Sequence, residues 1–160
     1  MKKFTQFVFP LVIILTSLSC NYHDRIWNED SNRVSREVRK TLNQYYKDVV
    51  TNGFKAEFNY LDSSAMFKWH PPGFSDSIGY DSVREILLQN ADVYKVLVMR
   101  MDSLIVFPVS RKEAKYMGFV YSVMQDTSGR MDTMQLYEEG IMMKRENGWK
   151  LVKGKTESRG

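Results

Sequence analysis

The chain has 160 residues, with 23 basic and 19 acidic side chains and a net charge of +4. Removing the predicted export signal, which holds two lysines and no acid, leaves 21 basic against 19 acidic residues, a net charge of +2. A balance this close to neutral, without a basic cluster or an aromatic–basic stripe, excludes a nucleic-acid-binding face. The remaining ~140 residues are the usual size of one domain with one core.

The first twenty residues, MKKFTQFVFPLVIILTSLSC, have the layout of a bacterial export signal. Two lysines precede an apolar run that is shorter than the ~20 residues a membrane-spanning helix needs. Residues 17–20 resemble a lipobox, in which the cysteine is acylated, although Ser17 stands where leucine is most usual. We predict a signal peptide over 1–19 and a lipid anchor at Cys20. The alternative is an ordinary secretory signal with an incidental cysteine.

The anchor predicts a location in the bacterial cell envelope, on the periplasmic or the surface side of a membrane. Cys20 is the sole cysteine of the chain, so the folded domain has no internal disulfide. Residues 20–32 are polar with isolated aromatics and lack a clean period, and we interpret them as a tether between lipid and domain. The domain itself is predicted over residues 33–158.

Three helices are predicted in the first part of the domain. From Ser31 to Asn52 apolar residues recur with the period of an α-helix and form one stripe, which Asn52-Gly53 ends. The segment FKAEFNYL predicts a short second helix with Phe54, Phe58 and Leu61 turned inward. The stripe of the first helix consists of Val34, Val38, Leu42, Tyr45, Tyr46, Val49 and Val50.

A short strand and a third helix follow. The segment AMFKW predicts the strand, which Pro71-Pro72-Gly73 ends because proline cannot donate to a ladder. The segment DSVREILLQN predicts the helix, with Asp81 or Ser82 as its N-cap. Its buried face is predicted to hold Val83, Ile86 and Leu87.

From residue 94 onward the pattern becomes that of an antiparallel sheet, which makes the domain α+β. Turns are predicted at Asp126–Gly129 and at Asn147-Gly148. The strands carry apolar residues on both faces over part of their length, and a second subunit is expected to cover the outer face. The four predicted strands are YKVLVMRMDSLIVFPVS, EAKYMGFVYSVMQ, MDTMQLYEEGIMMKRE and WKLVKGKTES.

The order of these elements resembles the nuclear transport factor 2-like, or SnoaL-like, superfamily. The resemblance spans residues 33–158 and rests on FKWHPPG, on AKYMGFVYSVMQDTSGRMDTMQLYEEGIMMKRENGWKLVKG and on the closing GWKLV. It implies three N-terminal helices packed on a strongly bent antiparallel sheet that forms a cone around an apolar pocket. The family includes ketosteroid isomerase, scytalone dehydratase and limonene epoxide hydrolase. Many other members only bind ligands or partners, or dimerise, so the fold does not settle the function.

The chain departs from its SnoaL-like relatives in the last strand. Those relatives often carry histidines soon after the tryptophan, where this chain has Lys153 and Lys155. The resemblance therefore implies no histidine chemistry and no metal site there. Because His70 is the one histidine after residue 32 and no cysteine follows Cys20, we expect neither a transition metal nor another cofactor.

His70 is the weak candidate for a catalytic general base, since the pKa of free histidine suits proton transfer near neutral pH. The alternative is a strand-end histidine that faces solvent. Buried carboxylates are a second source of a base, and Glu138 and Glu139 alternate faces, so at most one of them can face the pocket. The further carboxylates of the sheet region are Asp102, Glu113, Asp132 and Glu157.

Aromatic side chains are the candidates for lining a ligand pocket, because they combine contact area with a polar group. The alternative is that they are simply core. These candidates are Trp69, Tyr45, Tyr116, Tyr121, Tyr137 and Trp149.

The leading functional hypothesis is a lipid-anchored envelope protein that is not an enzyme. Its cone would bind a small apolar ligand, or its sheet would bind a protein partner or a second copy of the chain. The alternative is a small isomerase, dehydratase or hydrolase that uses His70 or a buried carboxylate as general base. A third hypothesis is an interaction module with a filled core and no pocket.

Overall fold

The computed structural model describes the backbone of residues 8–158 and the side chains of residues 27–158. The side chain of Cys20 and the predicted signal peptide lie outside the described side chains. Within the described part of the chain, no helix combines the length and the apolar character needed to cross a bilayer. The elements are α1 (Val8–Asn52), a 3₁₀ helix η1 (Phe54–Asn59), β1 (Lys68–His70), α2 (Tyr80–Val93), β2 (Tyr94–Ser110), β3 (Glu113–Asp126), β4 (Met131–Arg145) and β5 (Gly148–Ser158).

The fold is α+β, with helices followed by a curved, open sheet of five strands, as the sequence predicts. The strand order is β1-β5-β4-β3-β2. β1 runs parallel to β5, and the other neighbours are antiparallel. The pairing of β2 with β3 is interrupted near Asp102–Ile105, an irregularity of the kind that bends a strand. The helices pack against one face of this bent sheet, which we call the inner face, and the opposite face is the outer face.

α1 packs its predicted apolar stripe on the inner face of the sheet. Val34, Val38, Leu42 and Val49 are at most 2% exposed, which confirms the stripe. The helix extends farther toward the N-terminus than Ser31 and includes the segment interpreted as a tether. In that segment Asp30 accepts hydrogen bonds from Arg33 and, at 2.5 Å, from Arg111 at the end of β2.

Two details of the helices differ from expectation. The second helix is a 3₁₀ helix rather than an α-helix. The predicted N-cap of the third helix is wrong, because α2 begins at Tyr80 with Gly79 as N-cap and without a side-chain cap hydrogen bond. Asp81 and Ser82 consequently lie inside the first turn, past the position from which a side chain caps a helix.

The Pro-Pro-Gly segment redirects the chain from β1 to α2. The backbone of Trp69 exchanges hydrogen bonds with Ile78 across this turn, at 2.9 and 2.7 Å. Gly73 has φ 81°, a conformation that favours glycine. The indole of Trp69 lies directly on Gly154 of β5, where a Cβ atom would be 2.3 Å from Cζ3. Trp69 thus points to the inner side of the sheet.

Candidate functional site

A cavity of about 170 Å³ lies between the helices and the inner face of the sheet. We call it the cone cavity. Its walls are mainly aliphatic and aromatic, and four polar side chains, Tyr45, Glu57, Glu138 and Thr156, interrupt them. The apolar lining consists of Leu61, Phe67, Trp69, Pro71, Ile78, Val83, Ile86, Leu87, Met99, Val120, Leu136 and Leu151.

The first acid of the cavity comes from η1. In a 3₁₀ helix the side chains at i and i+3 eclipse each other, so Glu57 follows Phe54 into the interior. The Glu57 side chain is buried, with 8% of the residue exposed. Its Oε2 accepts a hydrogen bond of 2.7 Å from the hydroxyl of Tyr45 on α1.

The second acid comes from β4. Strand alternation turns Glu138 to the inner face and Glu139 to the outer face, as the sequence predicts for such a pair. Glu138 is 6% exposed. Its Oε1 accepts two hydrogen bonds, one of 2.8 Å from Tyr46 on α1 and one of 2.7 Å from Tyr116 on β3.

These contacts form two buried hydrogen-bonded groups, which meet where the rings of Tyr45 and Tyr46 lie 4.7 Å apart. We call the five residues together the carboxyl–tyrosine cluster: Tyr45, Tyr46, Glu57, Tyr116 and Glu138. Each glutamate uses a single oxygen for its tyrosines. The other oxygen of each, Oε1 of Glu57 and Oε2 of Glu138, accepts no hydrogen bond within the described part of the chain. Since both glutamates line the cone cavity, these two oxygens are available to a bound molecule.

Burial governs the protonation of the cluster. Desolvation raises the pKa of Glu57 to about 7, against a lowering by the Tyr45 hydrogen bond and a further rise from nearby Glu138. Desolvation also raises the pKa of Glu138, and the bonds from Tyr116 and Tyr46 oppose that rise. Because Glu138 has two such donors and Glu57 one, we expect Glu138 to ionise first.

The tyrosines remain hydrogen-bond donors at neutral pH. Burial and the neighbouring carboxyls raise the pKa values of Tyr45, Tyr46 and Tyr116 well above their usual range. A carboxyl with a pKa of about 7 has both its forms populated near neutral pH. The cavity therefore holds a group that can give or take a proton, beside a second carboxyl with a different environment.

His70 does not meet the cone cavity. It is the last residue of β1 and pairs with Lys155 of β5, whose side chain is on the outer face. It lines a broad outer groove of about 710 Å³ together with Lys115, Lys153 and Glu157. No carboxylate hydrogen bond to His70 is present among the described residues, so nothing there orients it as a base.

The aromatic candidates divide between three places. Tyr45 and Trp69 line the cone cavity. Tyr116 is not one of its lining residues, but its hydroxyl donates a hydrogen bond to Glu138, which is. Tyr121 lies on the outer face under the guanidinium of Arg100, because it alternates with the inward-facing Val120.

The other two aromatic candidates make polar contacts outside the cavity. Trp149 donates to Oε2 of Glu37 on α1 at 2.9 Å. Tyr137 donates to Oε2 of Glu139 on the outer face, at 2.8 Å. Neither of them lines the cone cavity.

The described residues contain no group of three or more His, Cys, Asp or Glu side chains that could hold a metal ion. The sequence-based prediction misses Glu57, since the predicted inward residues of the second helix are Phe54, Phe58 and Leu61. The signal was present, because Glu57 is three residues after the inward-facing Phe54. Tyr46 was assigned to the apolar stripe, and its role as a donor to Glu138 depends on contacts between distant elements.

Comparison with solved structures supports the fold. A nuclear transport factor 2-like superfamily protein from Salmonella enterica subsp. enterica serovar Typhimurium superposes with a TM-score of 0.62 at 11% identity, over 83% of this chain and 93% of that one. A proposed scytalone dehydratase from Novosphingobium aromaticivorans superposes with a TM-score of 0.63 at 14% identity, over 78% and 83%.

A third similar structure is a nuclear transport factor 2-like protein of unknown function in nutrient uptake from Rhodospirillum rubrum, with a TM-score of 0.58 at 14% identity, over 71% and 91%. No protein-family model matches the sequence, and no curated protein matches it. At these identities the likeness shows the fold alone, and the chain has the nuclear transport factor 2-like fold.

Proposed function

We propose that the domain binds a small, mostly apolar molecule in the cone cavity, with a polar group of that molecule against Glu57 and Glu138. One observation carries this proposal: two glutamates, 8% and 6% exposed, line an otherwise apolar cavity. A buried polar group costs free energy unless it is hydrogen-bonded. Every fully buried side-chain nitrogen or oxygen among the described residues has a hydrogen-bond partner, so the two remaining carboxyl oxygens are open to the cavity, where we expect a polar group of the ligand to replace water.

The size of the cavity limits the ligand. About 170 Å³ is close to the ~150 Å³ of an apolar protein cavity that accepts benzene. We therefore expect a molecule built on a single ring or a short branched chain, with one polar end. Trp69 and Phe67 provide aromatic surface for its apolar part.

The test measures binding of benzyl alcohol to the full chain by ligand-observed NMR and by the rise in melting temperature. Ile86→Trp should abolish both signals because the indole would fill the cavity that Ile86 lines. Glu85→Trp is the matched control, since the neighbouring Glu85 is exposed on the same helix. Equal binding to both variants would show that benzyl alcohol binds elsewhere and would contradict the proposal.

Glu57 supports a second function, proton transfer on the bound molecule. Its pKa of about 7 suits a general base or acid near neutral pH. The test follows deuterium uptake at the α-carbon of cyclohexanone in D₂O by NMR. Glu57→Gln should reduce the exchange to the rate of the protein-free solution, and His70→Ala should leave it unchanged. If the unmodified chain does not raise the exchange above the protein-free rate, proton transfer is contradicted and only the binding function remains.

We also propose that the chain is exported and anchored to a membrane through an acylated Cys20. The support is the sequence of the first twenty residues, with its lysines, apolar run and terminal cysteine. Cys20→Ser should move the protein from the membrane fraction to the soluble fraction, and Ser19→Ala should leave it in the membrane fraction. An unchanged distribution of the Cys20→Ser variant would contradict anchoring.

A second copy of the chain is the partner that we propose for the outer face of β2. Ile105, Phe107 and Val109 are each 47% exposed there, at alternate positions of one strand. The neighbouring outer groove carries both lysines and glutamates, so the face can complement itself across a two-fold axis. Light scattering should give a dimer for the full chain and a monomer for Phe107→Lys. Val93→Lys, also exposed but at the end of α2, is the control.

A further inference from the structure

We infer that the ligand of the cone cavity is a small organic cation, an amine with an apolar body whose ammonium group lies between Glu57 and Glu138. The inference rests on the proposed binding function and names the chemical class of its ligand. It follows from the charge of the cavity, from its hydrogen-bonding groups and from its walls.

The charge of the cavity is one-sided. Two carboxyls line it, and among its described lining residues there is no lysine, arginine or histidine. Carboxylates that share a desolvated site resist double ionisation, so the pair carries one proton and one negative charge until Glu57 ionises near pH 7, and a second negative charge above that pH. An anionic ligand would add a second buried negative charge, and a neutral ligand would leave the first uncompensated. A monocation compensates it.

The hydrogen-bonding groups of the cavity call for donors on the ligand. The tyrosine hydroxyls already donate their hydrogen bonds to Oε2 of Glu57 and Oε1 of Glu138. The oxygens left over, Oε1 of Glu57 and Oε2 of Glu138, are acceptors while the carboxyls are ionised. A primary ammonium has three N–H donors, more than one for each of the two glutamates that line the cavity.

The walls of the cavity select the rest of the molecule. From β1 and α2 the side chains that meet the cavity are apolar, among them Trp69, Val83, Ile86 and Leu87. The titratable groups that face the two glutamates are Tyr45 and Tyr46 from α1 and Tyr116 from β3, all neutral at physiological pH. None of these contacting groups is positively charged, so none of them pairs with the glutamates in place of the ammonium group of the ligand.

The experiment compares three probes of similar size on the full chain: benzylamine, benzyl alcohol and benzoate. At pH 8 benzylamine should bind about tenfold or more tightly than benzyl alcohol, because charge-assisted hydrogen bonds are the stronger ones. Benzoate should not bind. The affinity for benzylamine should rise between pH 6 and pH 8, while Glu57 loses its proton and the amine keeps its own.

Glu57→Gln and Glu138→Gln test the assignment separately, since each keeps the shape of the side chain and removes its charge. Each should lower the affinity for benzylamine toward that of benzyl alcohol, and by a larger factor than it lowers the affinity for benzyl alcohol, because the amide keeps an acceptor oxygen and loses the charge. The melting temperature of each variant reports whether it folds. Glu139→Gln, on the outer face, is the matched control and should bind benzylamine like the unmodified chain.

The outcomes separate this inference from the proposed function. Benzyl alcohol that binds in the cavity as well as benzylamine does would overturn the amine and leave the binding function standing. A failure of all three probes, with the chain folded, would overturn both. Tight benzylamine binding that persists in both glutamine variants would place the amine elsewhere and would also overturn the inference.

Discussion

The hydroxyl of Tyr45 donates a 2.7 Å hydrogen bond to Oε2 of Glu57, twelve residues further along the chain. This contact joins α1 to the 3₁₀ helix and holds a carboxyl group at the wall of an apolar cavity. A hydrogen bond of this kind favours the ionised carboxyl, and burial favours the neutral one. For Glu57 burial prevails, and its pKa rises to about 7.

The raised pKa of Glu57 predicts that the domain loses stability between pH 4.5 and pH 7. In this window the unfolded chain has released the proton while the folded one retains it, so the free energy of unfolding falls as pH rises. A rise of the Glu57 pKa from 4.5 to about 7 corresponds to a loss of about 3 kcal/mol in the free energy of unfolding.

Glu57→Gln should flatten this part of the profile, because the amide cannot ionise. Chemical denaturation at a series of pH values measures it. Glu138 contributes a change of the same sign, so the double variant with Glu138→Gln should be flatter than either single one. A slope unaffected by Glu57→Gln would contradict the assigned pKa.

Tyr116→Phe removes one of the two donors to Oε1 of Glu138. We expect it to destabilise the domain by about 1–2 kcal/mol, because Glu138 stays buried with one donor fewer. The variant should also raise the pKa of Glu138 further. Urea denaturation measures the first effect. Tyr121→Phe, on the outer face of the same strand, has no such bond to lose and should unfold like the unmodified chain.

Gly154→Ala should destabilise the domain by about 1–3 kcal/mol through overpacking. The new methyl group would lie 2.3 Å from Cζ3 of Trp69 and 2.6 Å from the backbone oxygen of Glu139, so neither neighbour fits beside it. Thermal unfolding measures the loss. Gly79→Ala is the steric control, because a Cβ atom there has nothing within 4 Å and its φ is −86°. It should cost only the smaller loss of a glycine N-cap, below that of Gly154→Ala.

Arg145→Ala should destabilise the domain by about 2 kcal/mol, because it leaves the carboxylate of Asp62 buried without its cation. Nε of Arg145 lies 2.6 Å from Oδ2 of Asp62, whose side chain is 6% exposed. Denaturant titrations near pH 7 measure this loss. Arg130→Ala breaks a longer pair with Asp126, at 3.4 Å, whose arginine is 78% exposed, and should shift the midpoint much less. Equal losses of stability from the two substitutions would contradict the expectation that burial of Asp62 makes its ion pair more important for stability.

The pH dependence of the Asp62 pair has the opposite sign to that of Glu57. Burial acts to raise the pKa of Asp62, but hydrogen bonds from Ser64 and Arg145 prevail and lower it. The pair therefore contributes stability above the usual pKa of aspartate, and this contribution is lost as the pH falls through the lowered value. The difference between the unmodified chain and Arg145→Ala should accordingly shrink in acid.

Much of the fold could be predicted from the sequence because the periods are strong. The alternation of apolar residues placed β2 at residues 94–110, the bounds that the structure has. The apolar stripe of α1 is buried as predicted. The cap of α2 could not be predicted in the same way, because Gly79 caps it without a side chain and leaves no compositional mark.

The sequence by itself determined the α+β class and the order of helices, strands and turns, because these follow from local periodicity and turn residues. The parallel pairing of β1 with β5 joins segments far apart in the chain and could not be predicted in this way. Strand alternation alone also implied that at most one of Glu138 and Glu139 could face the interior. Only the tertiary structure decided that Glu57 joins Glu138 at one cavity and that His70 does not. Tyr46 and Glu138, for example, are 92 residues apart in the chain. Which side chains are brought together and removed from water depends on how whole helices and strands pack.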